Sequence, residues 1–385
     1  MPHEIQLGFK PAGYTQQSAK KGDVVDLVYR EFTSSEDGNL FISRLEGIPR
    51  QLLAAIPGAT IADESCVSHM LAIVRPDETA TLYVNDLPHS VEIRAKGAGK
   101  AGQAVSLDDI MDVSRIRLKG IVIPEDAGLV AIFSVGWRKG LFFDFEPLQG
   151  VRRNYDIETA LGHCYSYVAF QHLFAISDPI WNEIIRQKWF PFIALKQTTI
   201  KQMISLAGSG FSIDDLLETI SAEATAMIAT QIESWSSHSL LAEHYPFLKT
   251  AFERFQAEDY ISSSSILFPR IEGILRTHHI AAGAISKANQ RNLAAGISGP
   301  SALRPHSNSL LLPSRFQRFL EQVYFADFDP KKPKGLSRNT VSHGVAPASA
   351  LDKKGSILAF LILLQIVALL PRQHASTSTP SSVPP

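Results

Sequence analysis

Cysteine is scarce. The 385 residues contain two, Cys66 and Cys164, set in neither a CxxC pair nor a Cys/His cluster at zinc spacing. That excludes a disulfide framework and a structural zinc site of the usual kind, and it fits a reducing compartment. HExxH is absent, and the adjacent His278 and His279 would diverge by about 100° on a helix, a poor arrangement for one metal. Neither a metal nor a cofactor is expected. The Gly-rich stretch AKGAGKAG, Ala95–Gly102, is an incomplete phosphate loop: Arg94 stands where the first glycine belongs, and Ala101 replaces the magnesium-binding hydroxyl. It reads as a flexible loop. Long apolar runs are missing too. The longest, ILAFLILLQIVALL (Ile357–Leu370), has 14 residues, short of the about 20 that span a bilayer, so a buried helix is expected and no membrane partner. MPHEIQLGFK has no apolar signal-peptide core, and a cytoplasmic location is expected. No repeat of solenoid or propeller period occurs.

What is present is enough to fold. Apolar residues make up 45% and charged residues 19%, and the length suits two or three domains. The net charge of −1 conceals an asymmetry. Residues 236–385 carry 16 Lys and Arg against 9 Asp and Glu, and residues 1–235 carry 21 against 29. A basic C-terminal third suits a polyanionic partner. Residues 1–150 read as a β-rich α+β domain with a place for a regulatory partner. Strands are expected in Asp23–Phe32, Thr81–Val84, Val91–Ala95 and Arg115–Pro124, with two more in Gly128–Pro147 around Gly136–Gly140, and one helix over Ser43–Ala55. NDLPHS looks like a hairpin connection between the second and third of these. Residues 151–236 read as a helical middle region, with Ser177 and Ser212 as helix starts. Residues 237–371 read as a four-helix bundle with a loop of about 28 residues inside it, and residues 372–385 as a disordered tail. The fold class is therefore α+β, with an all-α C-terminal bundle.

Two places carry chemistry. In FPRIEGILR, Glu272 and Arg276 have the i,i+4 spacing of an ion pair, while Ile271, Ile274 and Leu275 mark a buried face. In LSRNTVSHG, Arg338, Asn339 and His343 follow a basic loop with Lys331, Lys332 and Lys334 and precede the final apolar run. Five residues on a helix separate two side chains by roughly 140°, so Arg338 and His343 converge best across a helix start or with a second copy of the chain. The insertion PASALDKKG places the motif on a short turn ahead of the long helix. An Arg fork can hold a phosphate and its transition-state charge. A near-neutral His can move the proton of a ribose 2′-OH. The lysines add phosphate attraction.

The phrases ILFPRIEGILR and LSRNTVSHG resemble the HEPN superfamily, four-helix bundles that include many metal-independent endoribonucleases. The resemblance covers roughly residues 239–370. It implies RNA as substrate, Arg338, Asn339 and His343 as catalytic residues, Glu272 as the acidic companion on an earlier helix, and a homodimer whose two motifs share one cleft. The implied product is a 2′,3′-cyclic phosphate, and the implied setting is bacterial antiphage defence or a toxin system. The alternative is a non-catalytic module of the same kind that binds RNA or nucleotide, or only dimerises.

Overall fold

The computed structural model describes residues 2–58, 64–284, 287–299, 308–331 and 335–370. Strands and helices are both present, as an α+β chain requires. Contact density separates two compact units. The first is built from the described parts of Met1–Arg94, Asp112–Ala175 and Arg304–Leu310, the second from those of Ala95–Met111, Ile176–Leu303 and Leu311–Pro385. These borders do not follow residues 150 and 236, because the helical stretch after Tyr155 belongs to the first unit.

In the first unit the strands are β1 His3–Gln6, β2 Tyr14–Thr15, β3 Leu27–Val28, β4 Arg30–Ser34, β5 His69–Val74, β6 Thr79–Val84, β7 His89–Ala95, β8 Ile110–Leu118, β9 Gly128–Val135 and β10 Arg138–Asp144; the first residues of β8 and the last of β7 reach into the second unit. Its helices are α1 Asn39–Leu45, α2 Ile48–Ala54, α3 Ile157–Ala169 and α4 Gln171–Phe174. A six-stranded antiparallel sheet runs β1-β6-β5-β9-β10-β4. Alternation along its strands assigns each residue to a face. Met70, Ala72, Val130, Ile132, Leu141 and Phe143 pack on the side of α1 and α2, whereas Leu71, Ile73, Leu129, Ala131, Phe133 and Phe142 pack on the other, with Leu161 and Cys164 of α3. Both faces are buried, so these strands read as near-continuous apolar runs.

Two local expectations need correction. The helix expected over Ser43–Ala55 is split at Gly47, because Pro49 lacks the N–H that would continue α1. A Cβ on Gly47 would also lie 2.9 Å from the Tyr14 ring. NDLPHS is no hairpin either: β6 pairs with β5 and β1, and β7 pairs with β8. Asn85, at positive φ, accepts from Ser68 N at 2.7 Å and donates to Cys66 O at 3.1 Å, which turns the chain out of the sheet.

A buried polar cluster centres on Asp144. Asp144 is 0% exposed. It accepts from Glu146 N at 3.0 Å, from Arg153 Nε at 3.1 Å and from the Tyr155 hydroxyl. Arg153 also donates to Ala127 O at 2.6 Å. Burial and the Asp144 carboxylate raise the Tyr155 phenol well above its ordinary range.

The second unit is helical: α5 Asp178–Arg186, α6 Gln197–Gly208, α7 Leu217–Gln231, α8 Tyr245–Gln256, α9 Tyr260–Ala281, α10 Gln290–Ser298, α11 Pro313–Phe319, α12 Arg338–Ser342 and α13 Lys353–Leu369. The apolar run forms α13, buried continuously from Gly355 to Ile366. Two buried polar residues of α13 are satisfied: Ser356 Oγ donates to Tyr260 O at 3.0 Å, and Gln365 accepts from Ile193 N at 2.8 Å and donates to Leu311 O at 2.9 Å. Among the described residues no helix is long and apolar enough to cross a membrane. The stretch expected as a 28-residue loop contains α10, started by Asn289, whose side chain accepts from Asn292 N at 2.8 Å, and buried through Leu293, Ala294 and Ile297. The expected tail at 372–385 lies outside the described residues.

Candidate functional site

The long helix α9 is packed by α8, α10, α12 and α13. Asp259 caps it, its side chain accepting from Ser262 N at 3.1 Å. Leu267, Phe268, Ile271, Ile274 and Leu275 are all at or below 1% exposure, and Glu272 stands among them at 3%. A buried carboxylate is costly unless it is paired and hydrogen-bonded. Here two arginines pair with it. One helical turn on, Arg276 donates from Nε to Oε1 at 2.8 Å, and Arg338 Nε meets Oε2. Arg276 also donates to Ala288 O at 2.8 Å.

Arg338 is the first residue of α12. Ser337 caps this short helix in a reciprocal box: its side chain accepts from Thr340 N at 3.2 Å, and Thr340 Oγ1 accepts from Ser337 N at 3.0 Å. The turn must fit closely under α13. A Cβ on Gly355 would come within 2.5 Å of Leu336 Cδ2 and 2.7 Å of Ala350 O, so only glycine permits that approach. Asn339 follows at 6% exposure. Its Nδ2 donates to Phe325 O at 3.0 Å and Ala326 O at 3.3 Å, and its Oδ1 accepts from Gln290 Nε2 at 2.6 Å and Arg338 Nη1 at 3.2 Å. Tyr324, fully buried, donates its hydroxyl to Phe268 O at 2.6 Å, and burial together with the Glu272 carboxylate pushes its phenol well above the ordinary range.

His343 lies just past the other end of α12, where Gly344 at positive φ ends the helix. It is exposed, with its ring 5.6 Å from that of Phe328. Among the described residues no hydrogen bond takes up the His343 ring or Arg338 Nη2, and none joins the two side chains. Lys331 is exposed, its N–H donating to Asp329 Oδ1 at 2.8 Å. Lys332 and Lys334 lie outside the described residues. Among the described residues no group of three or more metal-ligating side chains gathers.

Glu272, Arg338 and Asn339 are therefore brought into one polar network, and His343 is set apart from it just past the end of the same short helix. Chemically, the network holds a guanidinium in place with its carboxylate partner in the core, and the exposed His343 imidazole stands outside it. Sequence reasoning missed Tyr324 and Gln290. The Asn-Gln helix start at 289–290 with apolar residues at 293, 294 and 297 was the signal for Gln290; Tyr324 sits in an ordinary apolar segment and gave none. No protein-family model, curated protein or solved structure matches this chain.

Proposed function

We propose that the α12 corner is the RNA-cleaving site of a metal-independent endoribonuclease of the HEPN type, with α8, α9, α11 and α13 as its bundle. The observation that carries the reading is the division of labour around α12. Glu272 in the core fixes Arg338 at the helix start, and His343 stands exposed after its end. In this reading Arg338 Nη2 contacts the scissile phosphate and offsets the charge that grows in the transition state. His343 takes the proton of the ribose 2′-OH, whose oxygen then attacks phosphorus as the bond to the 5′-oxygen breaks. Asn339 positions Arg338 through its Oδ1 and does not touch substrate. In an in-line displacement the attacking 2′-oxygen and the leaving 5′-oxygen lie on opposite sides of phosphorus, so one imidazole does not serve both, and the leaving oxygen receives its proton from His343 of a second copy, which makes the working species a homodimer. Lys331 adds attraction for the backbone.

The engagement of Arg338 and Asn339 by buried partners favours one other reading, a non-catalytic module in which the same network only shapes a nucleic-acid-binding surface. End-group analysis separates the two. Single-stranded RNA incubated with the full chain in EDTA is expected to yield fragments ending in 2′,3′-cyclic phosphate. RNA that is bound but stays intact overturns the catalytic reading and leaves the binding one.

A further inference from the structure

Lys96 belongs to the incomplete phosphate loop, and that motif gives it no task. It is nonetheless only 9% exposed, which is rare for a lysine unless it is paired. Its backbone is fixed, with Lys96 N donating to Asp109 O at 2.8 Å and Gln231 Nε2 donating to Lys96 O at 3.4 Å. An ammonium has three donors. Among the described residues, Lys96 Nζ uses one, to Leu195 O at 3.0 Å. Lys96 lines a cavity of about 430 Å³, within the rough 300–1,000 Å³ range of small-molecule sites.

Three carboxylates line the same cavity, Asp108, Asp109 and Glu223, yet among the described residues none forms an ion pair with Lys96. Each is engaged elsewhere. Glu223 accepts from Lys196 N at 2.9 Å and Thr199 Oγ1 at 2.8 Å, and Asp108 accepts from Gln197 N at 2.6 Å, so the two together cap α6. Asp109 accepts from Ser106 N at 2.8 Å and Oγ at 2.7 Å. Lys196, also on the lining, is exposed. Burial, the strongest influence, lowers the Lys96 amine to about 8, against the pull of Asp108, Glu223 and Asp109. A larger share of Lys96 than of an ordinary lysine is then uncharged near neutral pH.

We propose that Lys96 is a carbonyl-reactive amine and that the cavity beside it takes a small uncharged aldehyde or ketone. The carboxylates disfavour an anion there, while Ala226 and Met227 give an apolar wall. The neutral amine adds its lone pair to the carbonyl carbon, and the C=O π pair moves to oxygen, which gains a proton as the nitrogen loses one. The carbinolamine then expels water, leaving the imine, so that one amine and one carbonyl give one imine and one water. This inference stands apart from the RNA reading.

Butanal with cyanoborohydride, which reduces the imine to a stable amine, tests it on the native full chain by peptide mass mapping. Lys96 is expected to be alkylated at least about tenfold faster than Lys100, an exposed lysine on the same loop, at neutral pH, with the Lys96 rate levelling off above a midpoint near pH 8 while the Lys100 rate keeps rising, so that the excess shrinks. Denaturant should erase the excess. Ala226→Trp, which fills the cavity from an exposed position, should reduce labelling at Lys96 and leave it unchanged at Lys100. Equal native rates at the two lysines, or an Ala226→Trp chain that labels at Lys96 as fast as the parent, would overturn the proposal.

Discussion

Asp144 and Glu272 are 0% and 3% exposed, and each is held by arginine, but the arginines differ. The Arg153 side chain beside Asp144 is 6% exposed, and its remaining donors end on backbone carbonyls. The side chains of Arg276 and Arg338 beside Glu272 are 46% and 23% exposed. The first cluster is closed, with both charges in the interior. The second has its anion in the core and its cations at the edge, so positive charge is anchored where a ligand can meet it. A closed pair must offset two desolvation penalties through its own geometry, whereas an edge pair leaves part of its hydration in place. Burial of the carboxylate is common to the two clusters, and exposure of its partners is what separates them.

This contrast can be broken by substitution. Asp144→Ala strands Arg153 in the interior and should cost the most, about 3–5 kcal/mol in urea unfolding. Glu272→Ala should cost less, about 1–3 kcal/mol, because Arg276 and Arg338 can turn to water; a larger loss than that of Asp144→Ala would invert the comparison. Asn339→Ala removes the donor to Phe325 O and Ala326 O and should cost roughly 1–2 kcal/mol. It should couple to Gln290→Ala in a double-mutant cycle by at least about 0.5 kcal/mol, and additivity would show that their bond contributes nothing. The smallest effect belongs to His343→Ala, which should leave the melting temperature unchanged, since the ring is exposed.

Parts of this picture are legible in the sequence for physical reasons. The β9–β10 hairpin follows from two apolar runs around Gly136, which takes the positive φ that the turn requires. The separation of α12 from α13 follows from the polar PASALDKKG insertion. The burial of α13 follows from its unbroken apolar character. The buried face of α9 is readable from Ile271, Ile274 and Leu275, whereas the place of Glu272 beside the motif is implied only by the resemblance to HEPN bundles. Other parts depend on distant pairing that local pattern does not encode. β6 finds β5 and β1 rather than the strand that follows it. Asp144 looks like the end of an ordinary strand, and only the folded chain brings Arg153 and Tyr155 onto it. The π-helical turn Leu320–Tyr324 that buries the Tyr324 hydroxyl against Phe268 O carries no local signal either.

The central claim is that the exposed His343 does chemistry which the buried network only positions. Its most direct measurement is cleavage of one single-stranded RNA in EDTA by the parent chain and by His343→Ala, with melting temperatures taken on the same samples. Equal melting with cleavage lost in His343→Ala is the predicted result. Equal cleavage by both chains, or comparable cleavage of DNA of the same sequence, which has no 2′-OH, would contradict it.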